Sequence, residues 1–169
     1  QMMQRGPSLR AFLRVASQHP CNTRPDSTSG RVFRHEVKAD ADTFAGLTSQ
    51  AERLKIVSGE RIIDELNKII MSPTPSYGFK LLFHSHLLKQ FFPEMVALHG
   101  VEYVGNQAHK DNFYHTLQVL DNVAKTSDDL WLRWAAIMHD IAKPATKKFD
   151  PSHGWTFHGH EAKGARMTP

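Results

Sequence analysis

The sequence predicts an all-α protein, and three observations carry that expectation. From residue 40 onward apolar side chains recur at spacings of three and four, Pro and helix-capping residues interrupt that rhythm, and no alternating run is long enough for a strand. No internal repeat of roughly 20 to 50 residues is visible.

Taken in order, residues 9–17 are expected to form one short helix, and residues 19–30, rich in Pro, Ser, Thr and Asn, a loop or disordered stretch. Phe44, Leu47, Ala51 and Leu54 then mark the apolar stripe of a first amphipathic helix. Ser58 is a good N-cap for a second, whose stripe is Ile62, Ile63, Leu66, Ile69 and Ile70. Ser72-Pro73-Thr74-Pro75-Ser76 ends it, and a third begins near Ser76 with Phe79, Leu82 and Phe83 on one face. Phe92-Pro93 is a further break. Asp111 can cap a helix striped by Phe113, Leu117, Leu120 and Ala124. Thr126 or Ser127 can start another containing Trp131, Trp134, Met138 and Ile141, which Pro144 stops.

With 169 residues, 40% hydrophobic and 22% charged, the chain has the composition of a soluble globular protein of one domain or two small ones. It has no apolar run of about 18 residues and no basic-then-apolar start, so neither a membrane span nor a secretory signal is expected, and the expected location is cytoplasmic. The single cysteine, Cys21, can form neither an internal disulfide nor a cysteine-based zinc site, so any metal must use His and carboxylate ligands. The net charge of +4 is uneven: residues 1–39 carry seven Lys/Arg against two acids, and residues 40–169 carry fourteen against fifteen. The basic excess belongs to the front, where it reads first as a solvated tail. Histidine is the more informative excess, because His109, His115, His139, His153, His158 and His160 are six of the eleven.

His139-Asp140 interrupts the apolar sequence Ala135-Ala136-Ile137-Met138 and Ile141-Ala142 at a helix end. A carboxylate buried there needs a cation, hydrogen-bond donors or a metal. His115 lies about half a turn off its own apolar stripe and can face the same cavity. Phe157-His158-Gly159-His160-Glu161 bunches two imidazoles and a carboxylate around a glycine. A lone His-Asp pair is more often a surface or capping pair; the conjunction of the three elements turns the reading toward a metal. Imidazole and carboxylate together suit Mn, Fe, Ni, Co, Zn or Mg, and such an ion acidifies water and polarises a phosphoryl oxygen.

The order His115, His139-Asp140, His160-Glu161 and Gly164-Ala165 resembles the HD-domain superfamily. More narrowly, the run from His109 through His115 to Asp121, with His139-Asp140-Ile141-Ala142-Lys143-Pro144 and the Phe157–Glu161 pentapeptide, is similar to the HD portion of bacterial CCA-adding tRNA nucleotidyltransferases and their poly(A) polymerase relatives. Arg53-Leu54-Lys55-Ile56-Val57-Ser58-Gly59-Glu60-Arg61-Ile62 and Glu65-Leu66-Asn67-Lys68-Ile69-Ile70-Met71-Ser72 are similar to that family's helical RNA-binding neck and body. The resemblance covers residues 40–169. It implies a helical, bundle-like RNA-binding region over 40–105 and a helical HD fold over 106–169, after a poorly matched segment over 1–39.

It further implies a divalent ion, Mg, Mn, Ni or Co, held by His115, His139, Asp140 and His160. Asp140, Lys143, His160 and Glu161 would face the reacting phosphate, with Lys143 and His158 as phosphate contacts and Arg53, Lys55 and Arg61 touching RNA. The implied activities are 2′,3′-cyclic phosphodiesterase, 2′-nucleotidase and phosphatase, and the implied partners are tRNA or other RNA and a nucleotide or phosphate-ester substrate. The family would place another metal-binding Asp beyond Pro169, and a nucleotidyltransferase head before this sequence. Asp40-Ala41-Asp42 has the spacing of that head's paired aspartates, but it follows no Gly-rich turn and precedes a helix, where acids are favoured by the dipole. Nucleotide addition is therefore not expected from these residues. A free-standing HD nucleotide phosphohydrolase and a non-catalytic RNA-binding helical module stay open as alternatives, and oligomeric state is not legible.

Overall fold

The computed structural model describes residues 41–168; the helix expected over 9–17, the loop over 19–30 and Asp40 lie outside the described residues. Helices dominate: α1 (Ala41–Ser49), a 3-10 helix (Ala51–Ile56), α2 (Gly59–Ile70), α3 (Pro75–His84), α4 (Leu88–Phe91), α5 (Pro93–Val96), α6 (Asn112–Ala124), α7 (Leu130–Met138), α8 (Lys143–Thr146) and α9 (His160–Met167). The all-α expectation holds.

Local chemistry explains most boundaries and corrects several. The first amphipathic stripe is split, because Thr48 Oγ1 donates to Phe44 O and Ser49 Oγ to Gly46 O, a side-chain competition that ends α1. The tighter 3-10 repeat still turns Ala51 and Leu54 to the core, beside Leu47. α7 starts not at Thr126 or Ser127 but at Asp129, whose carboxylate accepts from the backbone N–H of Trp131 and Leu132. Ser127 Oγ is used instead to accept from Asp129 N. Pro144 does not stop α7, which has already ended at Met138; it sits in the first turn of α8, where its missing N–H costs nothing. Trp131, expected on the apolar stripe, is 77% exposed, and Ile63 on α2 is also exposed.

Two short antiparallel ladders were not expected. Tyr103–Val104 (β1) pairs with Gln107–Ala108 (β2) across a Gly105-Asn106 turn, and Lys148–Asp150 (β3) pairs with Gly154–Thr156 (β4). Segments of two and three residues are too short to show a period of two, so only their turn residues carry a signal.

Among the described residues one apolar core runs from Leu47 and Leu54 through Ile69, Ile70, Phe79, Leu82 and Met95 to Phe113, Leu117, Leu120 and Ile137. Each such side chain, fully buried, stabilises the fold by about 1.5–3 kcal/mol relative to exposure. α3 packs on α6, and α6 along α7. Gly78 lets α3 lie against α2, since a Cβ there would clash with Ile69 Cγ2. Asp121 of α6 accepts from Ser76 N at 3.0 Å, supplying the start of α3 with the cap its own Thr74 does not give.

Arg133 of α7 is 2% exposed and joins the halves of this core. Nη1 donates to Ile70 O and Ser72 O, Nε to Ser127 O, and Nη2 to Ala124 O and Asp128 Oδ1. All five guanidinium N–H groups are thereby used. The end of α2 is thus tied to α7, whose other end carries His139 and Asp140.

Candidate metal centre

Asp111 begins the construction of the site. Its Oδ1 accepts from Phe113 N and Tyr114 N, while Oδ2 accepts from Gly100 N, so the start of α6 is held against the preceding loop. One turn into α6 comes His115, and α7, packed on α6, ends where its chain turns through His139 and Asp140. Asp140 is 3% exposed, with Ile141 and Ala142 buried beside it. Gly159, at a positive φ of 77° that suits glycine, starts α9 and turns His160 toward the same carboxylate.

Three imidazoles converge on this one carboxylate. His139 Nε2 lies 3.1 Å and His115 Nε2 3.9 Å from Asp140 Oδ2, and His160 Nε2 lies 3.6 Å from Oδ1. Lys143, one turn on, sets Nζ 2.7 Å from Oδ2. The ligand atoms of His115, His139 and Asp140 all lie within 4.8 Å of one another, a spacing that could hold a metal ion; His160 stands at the other carboxylate oxygen, outside that trio.

Ring tautomers follow from the other nitrogen of each histidine. His139 Nδ1 donates to Ala136 O at 2.8 Å and His160 Nδ1 to Phe157 O at 2.8 Å, which leaves each Nε2 with a free lone pair. His115 differs: Lys110 Nζ donates to its Nδ1 at 3.1 Å, so its Nε2 keeps the proton while that contact lasts. Burial, and then the charge of Lys110, push the His115 imidazole below its ordinary value, which favours the neutral ring; ligation through Nε2 then requires Lys110 to leave Nδ1 so that the proton can move there. The donor set is therefore one that a divalent ion fits: imidazole nitrogens and a carboxylate, with two lysines at its edge.

The remaining expected residues are less convergent. Glu161 is exposed, and its carboxylate lies 3.4 Å from His160 Nδ1, the nitrogen turned away from Asp140. His158 is exposed. Arg53, Lys55 and Arg61 are exposed far along the chain from this centre. Arg53 and Arg61 line a groove of about 640 Å³ with Ile56, Val57, Ser58 and Glu60. Lys110 was missed as a site residue by sequence reasoning, although it lies in the motif itself; its role shows only once the loop before α6 brings it to His115.

Two family matches cover most of the described chain. Residues 37–98 match the family described as "Probable RNA and SrmB- binding site of polymerase A", and residues 112–169 match the HD domain. Among curated proteins, the chain is similar to the A-adding tRNA nucleotidyltransferase of Deinococcus radiodurans, with 36% identity over 122 residues, 70% of this chain and 28% of that protein. It is 33% identical over 127 residues to the CC-adding tRNA nucleotidyltransferase of Thermus thermophilus, covering 70% of this chain and 28% of that protein. It is 32% identical over 131 residues to the multifunctional CCA protein of Pseudomonas aeruginosa, covering 75% and 31%. The chain thus spans less than a third of the length of these relatives. No solved structure matches it.

Proposed function

Because this chain belongs to the tRNA nucleotidyltransferase family through an RNA-binding segment joined to an HD domain, we propose that it binds tRNA and hydrolyses a phosphate ester at the His/Asp cluster. The reaction class is 2′,3′-cyclic phosphodiester or phosphomonoester hydrolysis, and the place of work is the cytoplasm. Its working halves are the RNA-binding region over 40–105 and the HD region over 106–169. The observation that carries the reading is the convergence of His115, His139 and His160 on Asp140, with Lys143 on the same carboxylate.

His115, His139, Asp140 and His160 would hold the ion, Mg, Mn, Ni or Co. Bound there, it supplies Lewis acidity toward a phosphoryl oxygen and a more acidic water. The chain's own residues do the rest. The centre sets the Asp140 and Glu161 carboxylates against Lys143 and Lys110, so with a dication it carries a net positive charge that attracts and orients an anionic ester. Lys143 leaves Asp140 to pair with a phosphoryl oxygen, and His158 meets the phosphate from the rim. Asp140 and His160 face the reacting phosphate, while Glu161 steadies the His160 ring from its Nδ1 side.

In the RNA-binding segment, Arg53, Lys55 and Arg61 supply phosphate contacts around the groove that Arg53 and Arg61 line. The test is hydrolysis of adenosine 2′,3′-cyclic phosphate across Mg, Mn, Co and Ni, beside Asp140→Asn, with a tRNA gel shift under salt titration. Metal-dependent turnover lost in the variant supports the proposal. Tight tRNA binding with no turnover in any metal would leave a non-catalytic RNA-binding module, and turnover without preference for tRNA over random RNA would leave a nucleotide phosphohydrolase.

A further inference from the structure

Beside the cluster stands a row of three aromatic rings, Phe157, His109 and Trp155, with a lysine at each end. α8 begins at Lys143 and leads directly into the β3–β4 hairpin, so the hairpin's rings are delivered to the edge of the centre. Lys143 Nζ is shared: it lies 2.7 Å from Asp140 Oδ2 and 5.6 Å from the centroid of the Phe157 ring. His109 meets Phe157 edge-on at 6.1 Å and Trp155 edge-on at 5.2 Å, and Lys147 Nζ lies 5.6 Å from the Trp155 ring.

The rings differ in what they have left to offer. Trp155 packs on Phe149 at 5.3 Å, and its Nε1 is buried with no hydrogen-bond partner among the described residues. Phe157 is only half-buried, unlike the wholly buried Phe113, and its ring stands one lysine away from the carboxylate. That separation is within the reach of one nucleoside whose phosphate lies at Asp140. Aromatic faces interleaved with lysines are the means by which proteins stack bases while neutralising their phosphates.

We propose that Phe157, with Lys143 beside it, is the platform ring on which the base of the ester stacks, so that this residue sets the centre's preference for an ester whose ribose carries a base over one without. This rests on the phosphohydrolase reading for the chemistry, but the platform itself is read from binding. Stacking of one base on an aromatic ring is typically lost as roughly a tenfold change in affinity on truncation.

The experiment compares adenosine 2′,3′-cyclic phosphate with methyl β-riboside 2,3-cyclic phosphate, which has the same reacting group and no base. Turnover is followed with Mn, and affinity by calorimetry in metal-free buffer, for the unaltered chain, Phe157→Leu and Phe157→Tyr. The expected result is a preference of about tenfold for the adenosine ester, in KM and in calorimetric affinity, that collapses toward one in Phe157→Leu and returns in Phe157→Tyr. Equal affinity of the unaltered chain for the two esters overturns the platform, as does a Phe157→Leu variant that weakens both alike. If no metal gives turnover, the phosphohydrolase reading fails by itself, and the calorimetric ratio still decides the platform.

Discussion

Lys143 Nζ and Asp140 Oδ2 lie 2.7 Å apart, and His139 Nε2 approaches the same oxygen at 3.1 Å. A divalent ion and a lysine would therefore compete for one oxygen atom. Asp140→Asn, which removes the anionic ligand, is expected to weaken Mn binding by at least about a hundredfold in calorimetry. Lys143→Met is expected to tighten Mn a few-fold while raising KM for a phosphate ester by about tenfold. Looser Mn in Lys143→Met would mean that the lysine serves to hold the carboxylate in place.

The His115 imidazole is depressed below its ordinary 6.5 by burial and then by Lys110. The sign follows: at pH values just under 6.5 the unfolded chain takes up a proton that folded His115 does not, so stability falls as pH drops through that window and is unaffected above it. Proton competition with a bound metal should likewise begin at lower pH than for an ordinary imidazole. Lys110→Met should raise the His115 value and release Nδ1 for the ligating tautomer, both readable by NMR titration of the ring.

Arg133→Met should destabilise the chain by about 3–5 kcal/mol in urea denaturation, because four carbonyls lose their donor inside the fold. Asp128→Asn should cost under about 1 kcal/mol, since that carboxylate is 96% exposed and the pair is screened. Equal losses in the two variants would assign the stability to the ion pair instead.

Gly78→Ala should cost about 1–3 kcal/mol by overpacking against Ile69, although alanine is the better helix former by about 1 kcal/mol. In an Ile69→Ala background the same change should be close to neutral. A double-mutant cycle showing no coupling would rule out the clash as the cause.

Asp150 is held down to about 2 by the Ser152 hydroxyl, the Ser152 N–H and His153. Its contribution to the β3–β4 turn is present above the ordinary 3.8 and is lost as pH falls from there through about 2. Ser152→Ala should move the Asp150 titration upward in carboxyl-detected NMR; an unmoved midpoint would deny the hydroxyl this role.

Much of the helical frame was legible because helix signals are local. The stripe on α2, the Asp111 cap and the breaks at Pro75 and Pro93 depend on residues within a turn or two of one another. The start of α7 was misplaced because Ser127 and Asp129 are both competent caps, and only the geometry of the Arg133 clamp and the turn before α7 chooses between them. The short ladders were missed because pairs of two and three residues have no period to read.

By itself the sequence determined the helical class, the spacing that puts His115 off its own apolar stripe, and the presence of a His-Asp pair inside an apolar run. It could not determine which imidazole meets which carboxylate oxygen, that Lys110 reaches His115, or that Phe157 stands beside Lys143. Those relations join α6, α7, α8 and α9, and they follow from how helices pack rather than from how each one winds. Helical periodicity is written into neighbouring residues, whereas the distance between residues 115 and 140 is decided by the apolar contact of two helices and the clamp that holds one of them in place.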